Sequence, residues 1–136
     1  GDGSSYDTCV PSEDLKITVG FPDERAQADY IMGEQTRCAI LITDLMAAQG
    51  LQEDNIDGVF LPSIGKNRVP LLLGSYPGLK KKVCTDFRYG HMGGVDVMFF
   101  LDKYLREEQP EGDHRYLLMT PAFTAQWGGL LVRYSA

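Results

Sequence analysis

Two loops hold the side chains with the most chemical potential. The first, Leu61 to Arg68 (LPSIGKNR), carries Ser63 directly after Pro62, with Asn67 and Arg68 as further hydrogen-bond donors. The second, Arg88 to Gly94 (RYGHMGG), holds His91 between Gly90 and the Met92-Gly93-Gly94 run. A histidine at a glycine-rich entry to a helix sits where free backbone N–H groups and small residues let a ligand approach closely. It is a candidate general base or oxyanion donor, and equally a residue that caps the helix or packs under a sheet. Ser63 has no G-x-S-x-G elbow around it, and a serine after proline is commonly a loop or N-cap residue. Asp96, in the first turn of the following helix, reads as a complement to the helix dipole. Trp127 before Gly128-Gly129 reads as core, or as a lid over an apolar channel.

Metal chemistry finds no support. Cys9, Cys38 and Cys84 form no CxxC spacing, and neither His91 nor His114 has a second ligand three or four residues away. An odd number of cysteines also suits a disulfide framework poorly, so a reducing cytoplasm is the expected location. GKN lacks the spacing of a phosphate loop. With 13 Lys+Arg against 19 Asp+Glu, a net charge of −6 and no basic stripe, a nucleic-acid groove is not expected. Lys80, Lys81 and Lys82 form the one basic run and read as a solvated turn. No apolar run approaches the roughly 18 residues of a membrane span, and GDGSSYDT has neither region of a signal peptide.

The elements that must position these loops follow from periodicity. Asp23 is a candidate N-cap for a long amphipathic helix marked by Ile31, Gln35, Cys38, Ile42, Leu45 and Gln49, with Gly33 as a weak point and Gly50 closing it. IDGVFLPS is a short buried strand, Asn67 to Gly74 a short helix, VCTDF a second strand, and Val95 to Glu108 a helix presenting Val95, Met98, Phe99, Leu101 and Leu105 on one face. RYLLMTP and GGLLVRYS are two terminal strands joined by AFTAQW. The opening GDGSSYDTCVPSEDLKIT reads as irregular chain, so residues 1–22 are expected to be a joining segment and 23–136 one domain. This order predicts an α/β fold, a mixed and mostly parallel sheet with helices packed on it, with ligands gathering beyond the carboxyl ends of its strands.

Three segments together carry a family resemblance: LMAAQGLQEDNIDGVFLPS, CTDFRYGHMGGVDVMFFLDKYLREE, and above all LLMTPAFTAQWGGLLVRY, with its W-G-x-x-L-V-R-Y ending after a Phe-Thr pair. They resemble the C-terminal half of a β-ketoacyl-acyl-carrier-protein synthase III, a thiolase-superfamily enzyme, over roughly Asp23 to Tyr134. The resemblance implies one half of a duplicated layered fold. It also implies acyl transfer from a coenzyme A or carrier-protein thioester through a cysteine of the N-terminal half, with no cofactor beyond that thioester.

The departures are specific. Ser63 stands where the family's catalytic histidine would be, His91 takes the place of its asparagine, and Pro121 interrupts a stretch that supplies a backbone N–H. The resemblance therefore implies a diverged acyltransferase of fatty-acid, polyketide or secondary metabolism. His91 would handle protons and Ser63 act as a donor, with Asn67, Arg68, Phe123 and Trp127 near substrate. The alternative is a non-catalytic partner or scaffold subunit of a ketosynthase-like complex. On either reading the isolated chain is expected to be inactive and to associate, with an N-terminal half, a partner subunit, a second copy or an acyl carrier protein.

Overall fold

A computed structural model describes residues 9–11, 17–19, 22–122 and 126–136, with side chains placed within 22–121 and 127–136. Its longest element is α1 (Glu24–Ala48), which begins where Asp23 accepts the Ala26 N–H at 2.7 Å. The helix runs unbroken through Gly33, and Gly50 beyond it takes the left-handed φ of 62° expected of a helix-closing glycine. Its buried residues, Glu34, Cys38, Ile42 and Met46, recur every fourth position, which is one stripe of the helix. Ile31, expected on that face, is instead exposed.

β3 (Gly58–Phe60) pairs in parallel with β4 (Asp113–Ala122), which pairs antiparallel with β5 (Gln126–Ser135), giving a mixed sheet in the order β3-β4-β5. Pleat alternation divides the core in two. Val59, Leu61, Leu117 and Met119 pack with Cys38, Ile42 and Met46 of α1 and with Leu72, Leu73 and Leu79. Phe60, Tyr116 and Leu118 point the other way, into Val97, Phe100 and Leu101 of α4 (Asp96–Glu108). The result is helix, sheet, helix. Between β3 and α4 lie two single-turn helices, α2 (Val69–Leu72) and α3 (Pro77–Lys80).

Several expectations need correction. The opening segment is not wholly irregular, because β1 (Cys9–Pro11) and β2 (Ile17–Val19) pair with each other antiparallel. VCTDF forms no strand: Val83 makes one parallel bridge to Val59, and beyond it the Thr85 hydroxyl accepts the Leu61 N–H at 2.7 Å and donates to the Leu61 carbonyl at 2.9 Å. A side chain thus takes over the hydrogen bonds that a further strand residue would make. AFTAQW is shorter as a connection than expected, since both strands extend into it and leave only positions 123–125 between them. The buried face of α4 is Val97, Phe100 and Leu101, while Val95, Met98 and Phe99 lie exposed. Lys82 is no solvated residue either, for its ammonium donates to the Glu53 and Ile56 carbonyls at 2.8 and 2.7 Å.

Candidate functional site

Because β3 and β4 run in parallel, the loop after β3 and the end of β4 emerge on the same side of the sheet, where the 88–94 loop and the start of α4 also arrive. At their centre is Asp96, which is fully buried. Its Oδ1 accepts the Met92 N–H at 2.7 Å, and its Oδ2 accepts the Ser63 N–H at 2.9 Å and bonds His91 Nδ1 at 2.6 Å. One carboxylate therefore ties both chemistry-bearing loops together. The Ser63 hydroxyl donates to the Tyr89 carbonyl, a second tie between the same loops.

Burial pushes the Asp96 carboxyl up, but the His91 hydrogen bond and the two backbone N–H donors outweigh it and hold the group below its ordinary range. An ionised Asp96 can only accept, so the proton shared with His91 belongs to Nδ1, which leaves Nε2 as the basic nitrogen. Asp96 is thus more than a complement to the helix dipole: it sets the tautomer of His91. A buried acceptor five residues after a half-exposed histidine was visible as Asp96 in the sequence, but its burial was not.

His91 lines a cavity of about 230 Å³. The other polar groups on its wall are Tyr30, Glu34, Arg68 and Thr120, and Pro62, Ile64 and Pro121 supply its apolar surface. Gly93 and Gly94 complete it, and Gly93 needs its lack of a side chain because its φ is 80°. Glu34 forms an ion pair with Arg68, at 2% residue exposure for Glu34. Burial raises the Glu34 carboxyl despite the opposing pull of the guanidinium. Tyr30 and Glu34 are successive members of the every-fourth row that continues into the core as Cys38 and Ile42. Sequence reading missed both, and the signal available was a glutamate placed on an otherwise apolar stripe.

The remaining expected residues are spread out. Arg68 reaches the cavity, whereas Asn67 is exposed on the Lys66–Arg68 turn and lies outside the cavity wall. Trp127 packs against the core beneath α1 with the Arg37 guanidinium 4.6 Å above its ring, away from the cavity wall. Phe123 lies outside the described residues. Of the two cysteines with described side chains, Cys38 and Cys84, neither is built as a nucleophile. Burial pushes the Cys38 thiol up to about 12, and burial raises that of Cys84 as well. Among the described residues no group of His, Cys, Asp and Glu is arranged to hold a metal ion, and no helix is long and apolar enough to cross a membrane.

Against known proteins, no family model matches the chain and no curated protein matches it. Solved structures do. The 3-oxoacyl-(acyl-carrier protein) synthase of Burkholderia xenovorans superposes with a TM-score of 0.73 at 14% identity, over 98% of this chain and 42% of that one. The 3-oxoacyl-[acyl-carrier-protein] synthase III of Aquifex aeolicus gives 0.72 at 16% identity, over 98% and 42%. OleA of Xanthomonas campestris gives 0.71 at 14% identity, over 93% and 35%. The chain spans about two fifths of the length of these structures. Its mixed sheet between helices, which holds His91 and Ser63 on one buried aspartate, thus shares the fold of about two fifths of the 3-oxoacyl-[acyl-carrier-protein] synthase III structures it resembles.

Proposed function

We propose that this chain is the acid–base half of a diverged acyltransferase that uses acyl thioesters of coenzyme A or an acyl carrier protein, with the nucleophilic cysteine on an N-terminal half. The observation that carries this reading is the Asp96–His91 pair at the cavity wall, in a chain folded like part of a synthase III. The raised thiols of Cys38 and Cys84 support the assignment of the nucleophile elsewhere. Decarboxylative condensation, for which the resembled family uses a histidine and an asparagine together, does not suit a site where His91 stands beside a Ser63 whose hydrogen is committed to the Tyr89 carbonyl.

Transfer to a hydroxyl or amine suits it better. In that step His91 Nε2 takes the acceptor's proton as the acceptor oxygen or nitrogen bonds to the acyl carbon. The carbon–sulfur bond then breaks, and the departing thiolate recovers the proton from the imidazolium. Asp96 stabilises the imidazolium throughout. The Ser63 hydrogen is committed to the Tyr89 carbonyl, so Ser63 acts here as an organiser of the two loops and not as a donor to substrate.

A second reading draws on a different observation. Tyr89, Met92, Val95, Met98 and Phe99 form an exposed apolar surface beside the site, with Tyr89 and Phe99 packed edge to face at 5.5 Å. Such a surface suits a covering chain, and so favours a partner or scaffold subunit, or a homodimer. Intact-protein mass spectrometry of the protein carrying this chain together with an N-terminal half, after incubation with a panel of acyl-coenzyme A thioesters, separates the two. An acyl adduct on a cysteine outside residues 1–136, whose onward transfer slows by about 10²–10⁴ in His91→Ala, supports the transferase. No adduct with any donor, together with co-purification of an intact synthase, refutes it and supports the partner subunit.

A further inference from the structure

Gly90, Gly93 and Gly94 leave the backbone around His91 free to take many conformations, so the position of the imidazole must come from contacts at the two ends of its loop. Asp96 supplies the far end. The near end starts from a fixed base, because the Thr85 hydroxyl is bonded to both the N–H and the carbonyl of Leu61, two residues before Ser63. From that base only Asp86, Phe87 and Arg88 separate Thr85 from Tyr89, whose carbonyl takes the Ser63 hydrogen. The course of these residues decides whether the Tyr89 carbonyl arrives where Ser63 can reach it.

Asp86 sets that course. Its Oδ1 accepts the Arg88 backbone N–H at 3.1 Å and Nε at 2.9 Å, and its Oδ2 accepts Arg88 Nη2 at 2.7 Å. Its backbone carbonyl accepts the Tyr89 N–H at 3.3 Å. An aspartate that accepts from the backbone two residues on closes a turn upon itself. The Lys103 ammonium of α4 lies 3.8 Å from Asp86 Oδ2 and 5.9 Å from the centre of the Tyr89 ring, so the helix backs the turn. The Asp86 side chain is 16% exposed and that of Arg88 85%. An ion pair with so exposed a guanidinium adds little stability, so the effect of the carboxylate lies in the shape it imposes. In that shape the Tyr89 ring rests edge to face on Phe99 and Phe100, at 5.5 and 6.2 Å between centroids.

We infer that Asp86 is a positioning residue for His91: by closing the 86–89 turn it presents the Tyr89 carbonyl to Ser63, whose N–H shares Asp96 Oδ2 with the imidazole. An aspartate then holds each end of the His91 loop. The inference deepens the acyltransferase reading and rests on it for the transfer step.

The test uses the protein carrying this chain together with an N-terminal half, read by nitrogen NMR shifts of isotope-labelled histidine and by onward acyl transfer. Asp86→Ala is expected to spread His91 over both tautomers and to lower kcat about tenfold, with KM changed by less than about twofold. Asp86→Asn, which keeps an acceptor for the Arg88 N–H, is expected to recover most of both. Ser63→Ala shifts the tautomer in the same direction, and adding it to Asp86→Ala costs less than about a further twofold, because the two act along one path. An unchanged tautomer in Asp86→Ala overturns the inference whatever the rate, and so do effects of the two substitutions that multiply. Should circular dichroism show Asp86→Ala unfolded, Lys103→Met decides: the same tautomer shift supports the inference and none overturns it. A tautomer shift without any effect on transfer, or in a protein with no transfer activity, supports the inference and overturns His91 as the transfer base.

Discussion

Asp96→Asn is the substitution that most directly probes the site. The native carboxylate accepts three hydrogen bonds: from the Met92 N–H on one oxygen, and from the Ser63 N–H and His91 Nδ1 on the other. An asparagine offers one carbonyl oxygen and one NH2 in the same buried volume. With its oxygen toward Ser63 and His91, the NH2 confronts the Met92 N–H. In the opposite orientation it confronts the Ser63 N–H, and His91 must move its proton to Nε2 to accept from it. Each arrangement leaves at least one donor unpaired, at about 1–3 kcal/mol, and removes the charge that strengthens the bonds that survive. The total is about 3 kcal/mol, or roughly 10 °C in Tm for a domain of this size.

Urea denaturation followed by circular dichroism measures that loss, and imidazole nitrogen shifts report the tautomer. The pH dependence has a definite sign. Because the folded Asp96 is held below its unfolded value of about 3.9, its contribution is fully present above about pH 4 and disappears as the pH falls through the folded value. The stability gap between wild type and Asp96→Asn therefore narrows below about pH 4. A gap under about 0.5 kcal/mol at pH 7, or one of the same size at pH 3, would refute the reasoning that Asp96 is an ionised, triply bonded organiser.

Other substitutions test other parts of the structure. Thr85→Val leaves the buried Leu61 N–H and carbonyl without their partner and is expected to lower stability by about 2–4 kcal/mol in chemical denaturation, whereas Thr85→Ser retains most of it. Gly58→Ala places a Cβ 2.9 Å from Cys84 Sγ and 3.0 Å from the Tyr116 ring, so a loss of about 1–3 kcal/mol is expected, and Cys84→Ala in the same chain should recover part of it. Ile42→Ala opens a cavity under α1, and a destabilisation of about 2–5 kcal/mol is expected, against less than about 0.5 kcal/mol for the exposed Ile40→Ala. Cys38, with its thiol pushed up to about 12, is about one part in ten thousand ionised at pH 8, so iodoacetamide followed by mass spectrometry should leave it unmodified until the protein is unfolded.

The long helix with its Asp23 cap, the IDGVFLPS strand, the α4 span and the two terminal strands were all legible in the sequence. Their signals are local: a capping side chain, a glycine at a helix end, an apolar run of strand length. The three resembling segments likewise pointed to the fold that the solved structures share. What periodicity misjudged was which apolar residues of α4 face inward. Val95, Met98 and Phe99 share a stripe as plausible as that of Val97, Phe100 and Leu101, and only the position of the sheet decides between them.

VCTDF failed as a strand for a related reason, since whether an extended segment completes a ladder depends on what lies beside it, and here the Thr85 hydroxyl intervened. The candidate site divides in the same way. His91 and Ser63 stood out by residue type and by their glycine-rich or proline-led loops, which are properties of neighbouring residues along the chain. Asp96, Glu34 and Tyr30 did not, because an aspartate in a first helical turn and a glutamate on a helix stripe acquire meaning only through burial and partners. Ser63 and Asp96 are 33 residues apart, and parallel pairing of β3 with β4 is what brings them within hydrogen-bond reach. Chain-local chemistry determined the elements and nominated the loops, while the long-range packing of helices on both faces of the sheet decided which carboxylate would be buried against the histidine.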